Sequence, residues 1–368
     1  MKICAPRRLF GGFAAIAFLG LILAFPSQSA RGISDGLGCC ALQVIPALFP
    51  FFVVANLLIA SPLANGLGAL VWPFTRFGLG IKGQKAATAL LVSWLGGFAV
   101  AAGTVSQLYR QGQLSRRQAQ LLLVCGVGSG PAFILNTVGL LMLGSTRLGA
   151  CLFAALLCAN LCTGIAMRFA LPRSDEQVFC SACGSQAANG QGGFVQAVQA
   201  AVASMLTVCG FVIFFRFLGA VLFELLPQNA PVQFIASALL EVTSGCAAAA
   251  RLAGGGAVAA CCCALSIQSL SVLLQVRALL CSELSLAPLL AARPLHLAFS
   301  LLWLKVLLRF VPGQAEVAST LADRVITRTR IAPDAALVLF ALCCAVLWRA
   351  GGFTSAKQSG IIKQTKGG

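Results

Sequence analysis

The chain has 368 residues, 59% of them hydrophobic and only 10% charged, with a mean hydropathy of +0.93. Its net charge of +17 comes from cations scattered between apolar runs, without the basic helix or aromatic-basic stripe of a nucleic-acid reader. One His and nine acidic residues offer no nucleophile–base pair for hydrolase or transferase chemistry, and no nucleotide motif points to an ATP-driven pump, so no enzyme is expected.

About 20 apolar residues cross a hydrocarbon core of about 30 Å. Residues 9–25, 37–60, 86–108, 121–143, 148–167, 198–223, 232–250, 257–276, 286–310 and 335–348 are the apolar segments. They predict an all-α polytopic membrane protein with about eight transmembrane helices plus two re-entrant or broken helices. The excess of Lys and Arg between spans follows the positive-inside rule. It leaves the lipid bilayer and a small anionic solute as electrostatic partners, and no nucleic acid.

Residues 1–32 carry Lys2, Arg7 and Arg8 before an apolar run and read as an uncleaved signal-anchor helix. In 86–108, Lys82 and Lys85 precede the apolar run while Arg110, Arg116 and Arg117 follow it. Both clusters lie on one face only if the segment enters and leaves on the same side, reversing at Gly96, Gly97 or Gly103. Next comes Val124-Cys125-Gly126-Val127-Gly128-Ser129-Gly130-Pro131, a helix break in mid-span. The helix resuming after Pro131 presents a partial positive end that suits an anion. Ser129, Gly130 and, further on, Asn136 are therefore candidate solute contacts. A packing kink explains the same glycines equally well.

The polar stretch 171–193 divides the chain into a first half, 33–170, and a second, 194–310. It holds Cys180 and Cys183, which have ligand-like spacing without the second pair that a four-ligand zinc site needs. The other cysteine clusters lie in apolar segments, where the thiol acts as a small hydrophobe. No metal or cofactor is expected.

The second half opens on the most informative residue, Glu241, an ionisable group inside 232–250. Such residues face a cavity, a partner charge or a transport path, and Thr243, Ser244 and Gly245 extend the candidate site. In 257–276, Gln268, Ser271 and Gln275 recur at helical spacing, as a cavity lining or as interhelical hydrogen bonds. Arg293 is placed to pair with Glu241, to hold a carboxylated solute, or to snorkel, and His296 reads as a core residue. Each half thus carries a Gly- or Glu-broken segment, a polar-interrupted span and a third span. This pattern predicts inverted-repeat-like halves with broken helices at the midplane. Residues 311–368 read as an amphipathic segment, a last transmembrane helix and a basic tail.

The ordered motifs Pro46-Ala47-Leu48-Phe49-Pro50-Phe51-Phe52, Leu108-Tyr109-Arg110-Gln111-Gly112-Gln113-Leu114-Ser115, Ser129-Gly130-Pro131 and Leu240-Glu241-Val242-Thr243-Ser244-Gly245 resemble a known family. It is the sporulation integral membrane proteins of spore-forming Firmicutes, whose halves are nucleoside-recognition (Gate) domains. The resemblance covers about residues 33–310. It implies a role in sporulation, with passage of dipicolinic acid across the outer forespore membrane and sporulation membrane proteins as partners. The alternative is a non-transporting membrane scaffold of a sporulation complex. The sequence departs from the family pattern at Phe98–Gly103, where a Pro and a Lys are missing, at Val127-Gly128 in place of Asn-Asn, and at Leu273 in place of His. Those departures fall in segments that would touch the solute.

Overall fold

The computed structural model describes residues 4–61, 64–172, 194–227, 229–252 and 256–310, all within one compact unit, Met1–Ser319. The Cys180/Cys183 pair, most of the 171–193 stretch, the 311–333 segment, the 335–348 span and the basic tail lie outside the described residues. Among the described residues 84% are helical and no strand occurs.

The chain opens with α1 (Cys4–Ala24) and α2 (Pro26–Cys39). Their axes meet at 105° at Phe25, where the backbone leaves the helical region. Pro26 explains the corner: it starts a helix well but cannot continue one. The anchor helix expected over 1–32 therefore ends at Ala24. A π-helical stretch, Cys40–Val44, carries α2 straight into α3 (Ile45–Ala60). On α2, a Cβ on Gly32 would lie 2.7 Å from the Phe217 Cα, and one on Gly36 2.8 Å from the Ile213 Cα. Only glycines allow so close a helix–helix approach, so α2 is laid directly on the helix carrying residues 213–217.

A short α4 (Ala64–Gly68) and a second π-helical stretch, Phe74–Gly78, lead to α5 (Gln84–Gly96) and α6 (Phe98–Arg110). These two fold back on each other at Gly97, whose φ of +83° is open to glycine at no steric cost. The reversal expected at Gly96, Gly97 or Gly103 is thus at Gly97, and Gly103 continues α6. Then follow α7 (Arg116–Gly126), a third π-helical stretch, Phe133–Met142, and α8 (Thr146–Ala170). Ser115 starts α7 with a capping box, accepting from the Gln118 N–H while Gln118 Oε1 accepts from Ser115 N. Leu121 through Gly126 are all buried, so α7 has no lipid-facing side at that level.

The second half holds α9 (Phe194–Leu225), α10 (Ala230–Leu240), α11 (Val242–Ala250), α12 (Gly256–Ile267), α13 (Leu270–Leu279) and α14 (Ala287–Leu308). The element order of the first half recurs. A folded-back pair turns at Glu241 as α5–α6 does at Gly97, a helix is broken at Gln268–Ser269 as another is at Val127–Gly130, and α14 follows unbroken as α8 does. Packing is crosswise: α6 lies on α13, α11 on the Phe133–Met142 stretch, and α8 on α14. Ser106 of α6 fastens one of these contacts, accepting from the Cys281 N–H at 3.1 Å and donating to the Leu279 carbonyl at 3.2 Å.

Among the described residues four stretches are long and apolar enough to cross a membrane: Thr146–Ala170, Phe194–Leu225, Gly256–Leu279 and Ala287–Leu308, with the bent α1–α2 pair as a fifth. About eight were expected. The remaining apolar length is divided among pieces such as the 16-residue α3, the 13-residue α5 and the 9-residue α11, none of which spans alone.

Candidate functional site

Glu241 interrupts α10 and α11 with an extended backbone, and its carboxylate turns back onto the start of α11. Oε1 accepts from the Thr243 N–H at 2.8 Å, while Oε2 accepts from the Ser244 N–H at 2.7 Å and the Ser244 hydroxyl at 2.9 Å. The side chain is 2% exposed. A buried charge is tolerable only when paired and hydrogen-bonded, and both conditions hold. Two of the three bonds satisfy amides that a helix N-terminus leaves without partners, and the third binds the Ser244 hydroxyl. The charge is met by Arg216 of α9, whose Nε lies 3.5 Å from Oε2.

The break after α7 is held differently. Its freed carbonyls are taken by side chains from three other elements. Arg293 Nη2 of α14 donates to Val124 O at 3.4 Å, Trp94 Nε1 of α5 to Cys125 O at 2.9 Å, and Gln268 Nε2 to Val127 O at 2.7 Å. Irregular backbone inside a membrane protein requires this internal satisfaction. The Gln268–Val127 bond joins the broken helix of one half to that of the other. Gln268 makes it from φ +60°, a conformation that costs a non-glycine residue about 1–3 kcal/mol. Gly97 and Gly130 meet backbone to backbone beside it: a Cβ on Gly97 would lie 3.1 Å from Gly130 N.

Two clefts flank this crossing. The front cleft, with an empty volume of ≈ 570 Å³ counted to its open mouth, brings together Gly97, Ser129, Gly130, Glu241, Thr243 and Gln275, with apolar walls from α3 and α9. The rear cleft, ≈ 370 Å³ on the same measure, is lined by Ser129, Asn160, Gln268 and His296 against Trp94 and Phe153. Ser129 faces both. The rear cleft carries three buried polar atoms without hydrogen-bond partners: Asn160 Oδ1, Gln268 Oε1 and His296 Nε2. His296 Nδ1 is 2.6 Å from Ser266 Oγ, so the residue is only half satisfied.

Of the residues singled out in the sequence, Glu241, Thr243, Ser129, Gly130 and Gln275 share the front cleft. Ser244 belongs to the Glu241 cap, and Ser271 accepts from Gln275 Nε2 at 2.9 Å. Gly245 serves packing, since a Cβ there would lie 2.6 Å from the Ala238 Cα of α10. Three placements differ from expectation. The stripe of Gln268, Ser271 and Gln275 is split, because the helix breaks at Gln268 and turns that side chain to the rear cleft. Arg293 is spent on α7 carbonyls, and Arg216 stands beside Glu241 in its place. Asn136 is exposed on the Phe133–Met142 stretch and lines neither cleft. Arg216 and Asn160 were missed, although each is a polar residue inside an apolar run, which is itself a signal of a functional position.

In comparison with known proteins, the chain is 29% identical over 166 residues to the sporulation integral membrane protein YlbJ of Bacillus subtilis (strain 168). The match covers 42% of this chain and 38% of that protein, well under half of either. No family profile matches the chain, and no solved structure matches it. The likeness and the apolar helices together support an integral membrane protein related to one of sporulation.

Proposed function

We propose that this protein moves a small anionic solute across a membrane of a sporulating cell, and that the front cleft is where the solute sits. The observation that carries the reading is the convergence of the hairpin turns of both halves, Gly97 and Glu241, on one cleft with the Ser129–Gly130 break. The helix starts at Phe98 and after Pro131 open at this cleft and carry partial positive charge there. The third such start, that of α11, is already filled by the Glu241 carboxylate.

Glu241 is then the group that changes state. While ionised it caps α11 and holds Arg216; protonation would weaken both contacts and loosen the α10–α11 turn. Passage onward requires separation of the crossing, where the Gln268–Val127 bond and the Gly97–Gly130 contact stand between the front and rear clefts. The halves would act as inverted repeats, with dipicolinate as the solute, the outer forespore membrane as the site of action and other sporulation membrane proteins as partners. The likeness to a sporulation membrane protein supports that finer reading.

Uptake of labelled dipicolinate into proteoliposomes carrying the purified chain, against empty liposomes, tests it. Saturable uptake competed by unlabelled dipicolinate is expected. Folded protein that shows none under a proton gradient of either direction would leave the scaffold role or another solute.

A further inference from the structure

We propose that Arg216, beside Glu241 at the edge of the front cleft, is the residue that recognises a carboxylate, so that selectivity for a carboxylic acid over other anions rests on this one side chain. The proposal rests on the transport reading above and adds to it a specificity-determining residue.

Three observations carry it. First, Glu241 does not need Arg216 to satisfy its oxygens, because two backbone amides and a hydroxyl already do so at 2.7–2.9 Å. Second, Arg216 is under-committed. Its Nε is buried without a hydrogen bond, 3.5 Å from Glu241 Oε2, and its Nη2 makes a 3.6 Å contact with Cys39 Sγ. A guanidinium has five donors in a fixed fork suited to a carboxylate. Here one loose ion pair and one sulfur contact engage them. Third, the position is open enough to receive a ligand. The Arg216 side chain is 24% exposed; it does not itself line the cleft, but Val212 and Val208, one and two turns before it on α9, form the cleft wall. α2 packs closely on α9 at Arg216 itself, a Cβ on Gly36 lying 3.4 Å from the Arg216 Cβ, so the root of the guanidinium is held at a defined place.

A carboxylate arriving in the cleft can therefore take two parallel N–H donors from Arg216, a geometry stronger and more selective than a single bond. Glu241 keeps its helix cap when Arg216 turns to the solute. Arg216 thus has two carboxylate partners, one built in and one delivered, and the built-in one holds the charge while the cleft is empty.

The test measures binding of pyridine-2,6-dicarboxylate, pyridine-2-carboxylate and pyridine-2-carboxamide to the full chain in detergent, by calorimetry. The wild type is expected to bind both acids and not the amide. Arg216→Gln should weaken the acids by about tenfold or more, the usual scale for losing a charge-assisted pair. Glu241→Gln, although expected to lose transport, should bind the acids at least as tightly, and the Arg216→Gln/Glu241→Gln double variant should stay weak. If the double variant instead regains wild-type binding, Arg216 is merely the counter-charge of Glu241 and the proposal falls. Equal binding of acids by wild type and Arg216→Gln would also overturn it, while leaving an anion transporter in place. A wild type that binds neither acid would remove the anionic-solute reading itself. Should Arg216→Gln fail to fold, as judged by thermal unfolding, Arg216→Lys carries the test: it keeps the charge, loses the fork, and should lose several-fold in acid binding.

Discussion

The hairpin of the first half turns at Gly97 and that of the second at Glu241, and the two turns solve the same problem with opposite means. Both leave helix-start amides and helix-end carbonyls unsatisfied inside an apolar molecule. At Gly97 the absence of a side chain lets the backbone close on Gly130, so the turn is filled by another piece of chain. At Glu241 a carboxylate fills the turn, and the amides of Thr243 and Ser244 are held by a group that can gain or lose a proton. The helix breaks show a related contrast. The first is long, glycine-rich and capped by Trp94, Gln268 and Arg293 from outside. The second is two residues long, and its Ser269 hydroxyl caps α13 from within, accepting from the Val272 N–H at 3.4 Å. The first half is a receiving framework, and the second supplies the chemistry.

The largest expected effect breaks this contrast at its chemical end. Glu241→Gln keeps the size of the side chain and one acceptor oxygen but removes the charge. Proteoliposome uptake is expected to fall to background, while the amount of protein recovered in membranes is unchanged. Undiminished uptake would take Glu241 out of the mechanism and make its half as passive as the other.

The framework end is tested by Gly97→Ala. A Cβ there would sit 3.1 Å from Gly130 N on a backbone of φ +83°, so strain and a clash add. A loss of about 1–3 kcal/mol is expected, read as a lowered thermal midpoint in detergent. An unchanged midpoint would show that the Gly97 turn and the Gly130 break do not meet as described.

Next in size is the bond that joins the halves. Gln268→Ala leaves the Val127 carbonyl without its donor, a cost of about 1–3 kcal/mol for a buried polar group, and keeps the positive-φ strain. Gln268→Gly loses the same bond but relieves that strain, so it is expected to unfold at a higher temperature than Gln268→Ala. The reverse order would mean that the conformation at 268 is imposed by something other than this bond.

Sequence reasoning located the breaks well because they are written in local chemistry. Gly97, the run from Gly126 to Pro131, and a carboxylate inside apolar residues each state that a helix stops there. It could not foresee which side chain faces which cleft. Helical spacing placed Gln268, Ser271 and Gln275 on one face, and that inference fails as soon as Gln268 takes φ +60°, since the residues on either side then belong to separate helices. The sequence offers Arg293 of α14 as one partner for Glu241, whereas the fold sets Arg216 of α9 there. Arg216 is the one cation of the 32-residue α9, and its nearness to Glu241 depends on how α9 packs, which no local pattern encodes. Asn160 escaped for the same reason, being one polar residue on a 25-residue helix whose buried side only the fold defines.

The smallest expected effect sharpens the contrast by separating position in the chain from position in space. Asn136 lies five residues beyond Pro131 and, by sequence, is a candidate solute contact alongside Ser129 and Gly130. In the fold it is exposed on the Phe133–Met142 stretch, away from both clefts, whereas Ile134, Thr137 and Val138 around it are buried. Asn136→Ala should therefore change stability by no more than about 0.5 kcal/mol, the ordinary range for surface positions, and leave uptake at the wild-type level. A clear loss of uptake would place the solute path along that outer face instead of between the hairpins. The framework role of the first half would then have to be given up, because the half would be contributing a side chain, and not only backbone, to the path.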